Sequence, residues 1–231
     1  QLVEGDKVYQ VWMNKSIAMY RIGKEPLASG MNILGAHIDS PRLDVKQNPL
    51  YESNGFAMLD THYYGGVKKY QWATIPLALH GVITKKDGVN VIVNVGEDKD
   101  DPCFVVNDLL PHLGSAQSEK PLGSAIPGEN LNILIGSRPF GTDKGSEMVK
   151  LNIMKLLNEK YGITENDFLS AELCLVPTFK AKDIGFDRSL LLASQVAVHT
   201  DGGDLTVVVN QHGTVLNVGT GHRLDVSVLN Q

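Results

Sequence analysis

Apolar and polar positions alternate from near the start of the chain. Asp6 to Trp12 alternates, Asn14-Lys15 offers a turn, and Ser16 to Gly23 alternates again, which predicts a β-hairpin. Met31 to His37 is a nearly continuous apolar run that reads as a buried strand and ends in the polar stretch Ile38-Asp39-Ser40-Pro41. A second hairpin is predicted from Ala78–Thr84 and Val89–Val95, turned at Asp87-Gly88. An acidic loop, Glu97 to Asp101, follows it. The Gly-, Ser- and Pro-rich stretch from Gly114 to Gly145 reads as one long irregular segment.

The pattern then changes period. Val149, Ile153, Leu156, Leu157 and Tyr161 fall on one face of a helix, with Asp143 or Ser146 as the expected cap and Gly162 as the stop. Ala171 to Val176 returns to a strand pattern. The tail offers an apolar strand, Val196 to His199, and a hairpin from Leu205–Val209 and Thr214–Val218, turned at 210–213. No internal repeat or low-complexity tract interrupts this order.

Composition adds bounds. The 231 residues suffice for one large domain or two small ones with a real core. A net charge of −5 argues against nucleic acid as a partner. No apolar stretch is long enough to span a bilayer, and no signal peptide is expected. Cys103 and Cys174 fit no disulfide framework and read as two buried thiols in a reducing compartment, so the expected location is the cytoplasm.

The sharpest chemical feature is His37-Ile38-Asp39. Residues two apart in an extended chain point to the same side, so an imidazole and a carboxylate sit together where a strand runs out. Catalytic zinc sites combine His nitrogen with carboxylate oxygen. A carboxylate on the other ring nitrogen fixes the tautomer of a metal-bound His. His37 as ligand and Asp39 as its orienting partner fit that scheme; a hydrogen-bonded loop His is the plain alternative. A second His-x-Asp, His199-Thr200-Asp201, is a candidate ligand pair set against the favoured reading of a loop His beside a turn. His212 and His222 read as solvated loop residues, and His62 and His80 as structural.

The surrounding motifs resemble one family. Gly35 to Lys46, the run GAHIDSPRLDVK, closely resembles the first metal-ligand motif of the aspartyl aminopeptidases. The hairpin Gly5–Gly23, the segment Tyr63-Tyr64-Gly65-Gly66 with Trp72, and the stretch ending Leu110-Pro111-His112-Leu113 are similar to family segments in the same order. So are the helix ending near Tyr161, the strand around Glu172–Leu175, and Lys182 to Leu190. The resemblance covers about residues 5–192.

It implies an α/β fold: a catalytic domain of the cocatalytic metallopeptidase type, incomplete here, carrying an inserted β-rich dimerisation domain. The implied division is 1–46 and 168–231 for the two catalytic pieces and 47–167 for the insertion. It further implies metal-dependent removal of N-terminal residues from peptides, two divalent metal ions taken as zinc, and self-association to dimers and a dodecamer. Neither nucleic acid nor membrane is an implied partner. A family His that reaches the partner subunit's active site falls four residues beyond the position of His112, at Ala116; His112 is a candidate substitute for substrate binding, set against a packed structural role.

The motif order breaks after Leu190. Leu191-Leu192-Ala193-Ser194-Gln195 lacks the Asp that bridges the ions, and the chain contains no Glu-Glu pair to supply the general base. The abrupt break favours ordered pieces of a longer protein over a fragment or degenerate homologue. Two other functions stay open: a non-catalytic dimerisation module, and a related cocatalytic metallohydrolase.

Overall fold

The computed structural model describes residues 1–13, 15–35, 40–142, 145–180, 182–188, 190–192, 205–207 and 216–218. Asn14, His37, Asp39, Asp143, the strand expected at Val196–His199, Asp201, His212 and His222 lie outside them. The chain divides into two units, one within Ser40–Ala181 and the other drawn from Gln1–Asp39, Lys182–Leu192 and His199–Gln231.

In the second of these, β1 (Lys7–Trp12) and β2 (Ser16–Arg21) form the expected antiparallel hairpin, in register from Lys7↔Arg21 to Trp12↔Ser16. The run after it departs from expectation. Met31 to Gly35 is irregular, and Ile33 is 76% exposed. A continuous apolar run becomes a buried strand only between flanking strands, and among the described residues none pairs with it.

The larger unit is built on β3 (Arg42–Ser53), β4 (Phe56–Tyr64), β5 (Leu77–Thr84), β6 (Asn90–Val95), β7 (Val105–Val106), β8 (Ile133–Gly136) and β9 (Ala171–Pro177). They pair in the order β6-β5-β9-β3-β4-β8-β7, with every ladder antiparallel. The predicted β5–β6 hairpin and β9 are present. The β3–β4 hairpin was not predicted. Asn54-Gly55 turns it, with φ of 52° and 77°, the two positive angles that an Asn-Gly hairpin turn requires. Extra residues in β3 between Val45 and Leu50 shift its register against β4. Pro49, which has no N–H to donate, sits in that bulge.

The sheet curls until its β7 end returns to the start of β5, leaving β6 at an edge. Leu77 N–H donates to Phe104 O at 2.8 Å and Phe104 N–H to Leu77 O at 2.9 Å, beside β7. Leu43, Leu59, Leu77, Ile133, Leu173 and Leu175 project into the enclosed side and are buried. Thr61 joins them and donates its hydroxyl to Leu131 O at 2.6 Å. The 114–145 stretch is more ordered than expected. It holds the short helices α1 (Ser115–Ser118) and α2 (Leu122–Ala125) besides β8, and it buries Ile126, Leu131 and Ile133.

Helix α3 (Met148–Tyr161) packs over β3, β4 and β8 and ends at Gly162 with φ of 64°. Its inward stripe is Val149, Ile153, Met154, Leu157 and Tyr161. Leu156, expected inside, is 51% exposed, because the stripe turns through Met154 instead. Between α3 and the sheet lies an apolar cavity of about 190 Å³. Past the sheet, β10 (Lys182–Ile184) pairs with β11 (Leu190–Leu192), and β12 (Leu205–Val207) with β13 (Leu216–Val218) as the expected tail hairpin.

Ser146 does not cap α3. The helix starts after Glu147, which makes no side-chain cap bond. The Glu52 carboxylate on β3 accepts the Val149 and Lys150 N–H groups at 2.8 and 3.0 Å instead. It satisfies two otherwise unpaired donors and places negative charge at the positive end of the helix. Glu52→Ala in the full-length protein is therefore expected to cost about 1–2 kcal/mol. Urea denaturation followed by circular dichroism measures this, and an unchanged midpoint would show that water caps the helix equally well.

Candidate active site

The chain that carries His37 and Asp39 enters the large sheet at once. Pro41 is fully buried, and Gly65 lies against it; a Cβ at Gly65 would stand 3.6 Å from Pro41 Cα. Leu43 is fully buried. Arg42, between them, donates from Nε to Asp44 Oδ1 at 2.7 Å. Its guanidinium lies 4.0 Å from the centroid of the Tyr64 ring, within cation–π reach. Arg42 and Tyr64 face each other across the β3–β4 ladder. Burial opposes the Arg42 charge, but the hydrogen bond and charge of Asp44 outweigh it and hold the group ionised.

Across the sheet, Asp44 lies opposite His62 on β4 and Cys174 on β9, and Cys174 lies opposite His80 on β5. Burial, reinforced by Asp44, pushes the Cys174 thiol above its ordinary value, so it is neutral and a poor nucleophile. Cys103 corrects the expectation of two buried thiols: it is exposed, being placed just before β7. His80 bonds Glu97 at 3.1 Å, and His62 stacks on Tyr63 with ring centroids 5.4 Å apart, so both have local partners.

His112 is exposed in a turn at 111–113, which does not support the packed structural reading. The loop is tied by Asp108, whose carboxylate accepts Gln117 Nε2 at 2.9 Å, and by Ser118, whose hydroxyl donates to Gly114 O at 3.0 Å. Exposed Leu109, Leu110 and Leu113 flank the imidazole. Ala116 lies within α1.

A His37 nitrogen with a carboxylate such as Asp39 for its other ring nitrogen is donor chemistry that zinc accepts. Among the described residues no group of three or more His, Cys, Asp or Glu is arranged to hold a metal ion. Arg42, Asp44 and Tyr64 were quoted in the motifs above, but their mutual contact was not foreseen. It depends on β3 and β4 being partners, which the Asn54-Gly55 turn signals.

Comparison with known proteins places the chain. The probable M18 family aminopeptidase 1 of Clostridium acetobutylicum is 62% identical over 191 residues, covering 83% of this chain and 41% of that protein. The crystal structure of aminopeptidase I from C. acetobutylicum matches with a TM-score of 0.74 and 59% identity, covering 82% of this chain and 42% of that one. An M18-family aminopeptidase structure from Thermotoga maritima also matches with a TM-score of 0.74, at 46% identity, over 80% of this chain and 40% of that one. The chain thus spans about two fifths of the length of these relatives. A family model described as aminopeptidase I zinc metalloprotease (M18) matches residues 1–201. The α/β class and the family resemblance expected from the motifs both hold, and the chain belongs to the M18 family.

Proposed function

We propose that this chain forms part of a metal-dependent aminopeptidase that removes N-terminal residues from peptides in the cytoplasm. The observation that carries the reading is the family match over residues 1–201, which contains the His37-Ile38-Asp39 motif. His37 is a metal ligand, and Asp39 holds the other ring nitrogen so that the lone pair faces the ion. Two zinc ions, when bound, would polarise the scissile carbonyl and generate hydroxide at neutral pH. The β-rich insertion expected at 47–167 is the assembly domain, widened to the compact unit within Ser40–Ala181 because β3 and β9 are strands of its sheet, and the residues flanking that unit belong to the catalytic domain. Among the described residues no helix is long and apolar enough to cross a membrane.

In the full-length protein, His37→Ala is expected to lower zinc content and abolish most peptidase activity, because one of few ligands is lost. Elemental analysis beside a peptide-hydrolysis assay checks this, and unchanged metal with full activity would remove His37 from the ligand set. Asp39→Asn should keep the fold while reducing zinc affinity or activity by about 10–100-fold. A zinc titration indistinguishable from wild type would make Asp39 a bystander.

Assembly follows from the shape of the insertion. β6 forms an edge of the sheet, and unpaired edges are normally covered or used for association. The Leu109–Leu113 loop exposes apolar side chains around His112, which suits insertion into another subunit near its substrate. Dimers would then close into a dodecamer whose interior admits only short peptides. Light scattering on the full-length protein tests both steps. A monomeric mass at micromolar concentration would refute association, and a dimer that never grows would refute only the larger particle.

A further inference from the structure

The two ends of the large sheet are finished differently. β7 has two residues, and bridges from Ala73 to Val106 and from Leu77 to Phe104 lie beside it. β6 runs for six residues, Asn90–Val95, in unbroken register with β5, and among the described residues no strand pairs with its outer side. Sheet edges are normally blunted by charge, proline or a bulge, and β6 has none of these. Ile92, at its centre, is 78% exposed, more than any other large apolar side chain of the larger unit among the described residues. The phase of the ladder fixes which backbone groups face outward. Lys85 N–H donates to Val89 O at 2.9 Å, so the hydrogen-bonded pairs alternate from there, and Val91, Val93 and Val95 bond to β5. Asn90, Ile92 and Asn94 therefore turn their N–H and C=O groups away from the sheet.

This edge reads the same in both directions: Asn90-Val91-Ile92-Val93-Asn94 is palindromic about Ile92. We propose that β6 pairs antiparallel with β6 of a second copy of this chain, across a two-fold axis at Ile92. Ile92 then exchanges both backbone hydrogen bonds with its own copy, and Asn90 of each chain faces Asn94 of the other. A two-fold interface must be self-complementary, and this one is, residue by residue. The Ile92 side chains meet on the outer face of the sheet, and Val91 meets Val93 on the inner face. Charge agrees with the same register. It brings the Lys85-Lys86 turn of each copy beside the acidic run Glu97–Asp101 of the other. The pairing names the interface for the association proposed above and rests on that reading. The ordinary alternative is that another part of the full-length chain covers the edge.

Sedimentation of the full-length protein over a concentration series, beside oxidative cross-linking, tests this. Ile92→Pro leaves the β5 ladder intact, because that N–H points outward, but it removes the donor from both copies. Ile92→Lys sets two like charges directly opposite each other. Each variant should raise the dissociation constant of the two-fold pair about 10-fold or more, with an unchanged circular dichroism spectrum. In a Cys103→Ser background, Ile92→Cys should link to its own copy, since the Cα atoms of a hydrogen-bonded antiparallel pair stand about 5.5 Å apart. Asn94→Cys should not, because the register holds that residue about 14 Å from its counterpart. The cross-link decides the matter if Ile92→Pro or Ile92→Lys fails to fold. Equal linking in Asn94→Cys overturns the axis at Ile92. An associated wild-type protein with unchanged mass in both Ile92 variants and no link in Ile92→Cys overturns the β6 pairing alone. A monomeric wild-type protein overturns the association reading and the pairing with it.

Discussion

Leu77 and Phe104 exchange two backbone hydrogen bonds, and that pair turns an open seven-stranded sheet into a curl with an inside. An open sheet of this composition would expose one apolar face along its whole width. Once curled, alternate residues of β3, β4, β5, β8 and β9 converge on a common core, and α3 with Phe168 and Ile163 covers it. The curl also demands close backbone approach. Gly81, at φ of 144°, faces β9 so tightly that a Cβ would stand 1.9 Å from Glu172 O. Only glycine meets both the angle and the space.

Elements with a strong local pattern were legible in the residues alone. The β1–β2 and β5–β6 hairpins, α3 and β9 each carry several positions of one period and a turn or stop residue at the end. β8 was not legible, because its four residues sit in a stretch dominated by Gly, Ser and Pro. Its strand character comes from pairing with β4, 70 or more residues earlier in the chain. The start of α3 was misjudged for a similar reason. Sequence reading looks for a cap within a few residues, whereas Glu52 lies 97 positions from the N–H it binds. Met31 to Gly35 failed in the opposite direction: among the described residues, a strong apolar run has no partner strand.

The candidate site divides in the same way. His37-Ile38-Asp39 stands out in the sequence because the expectation it raises is local: residues two apart in an extended chain would share one side. The contacts of the residues that follow it are not local. Tyr64 reaches Arg42 only because Asn54-Gly55 folds β4 back on β3, and Asp44 meets Cys174 only because β9 returns from the far end of the larger unit. The motif text thus contained Arg42, Asp44 and Tyr64 without disclosing that they touch.

That separation has a chemical rationale. A zinc ligand needs a freely available lone pair, and a neighbouring guanidinium would compete for the carboxylate that orients it. In this structure Asp44 takes the Arg42 charge at 2.7 Å, and Tyr64 covers the guanidinium face. Arg42 is therefore already paired within the sheet. A motif with two carboxylates and one arginine so close together can serve both structure and chemistry only if the pairing is decided by geometry. The β3–β4 ladder decides it, by placing Asp44 and Tyr64 around Arg42.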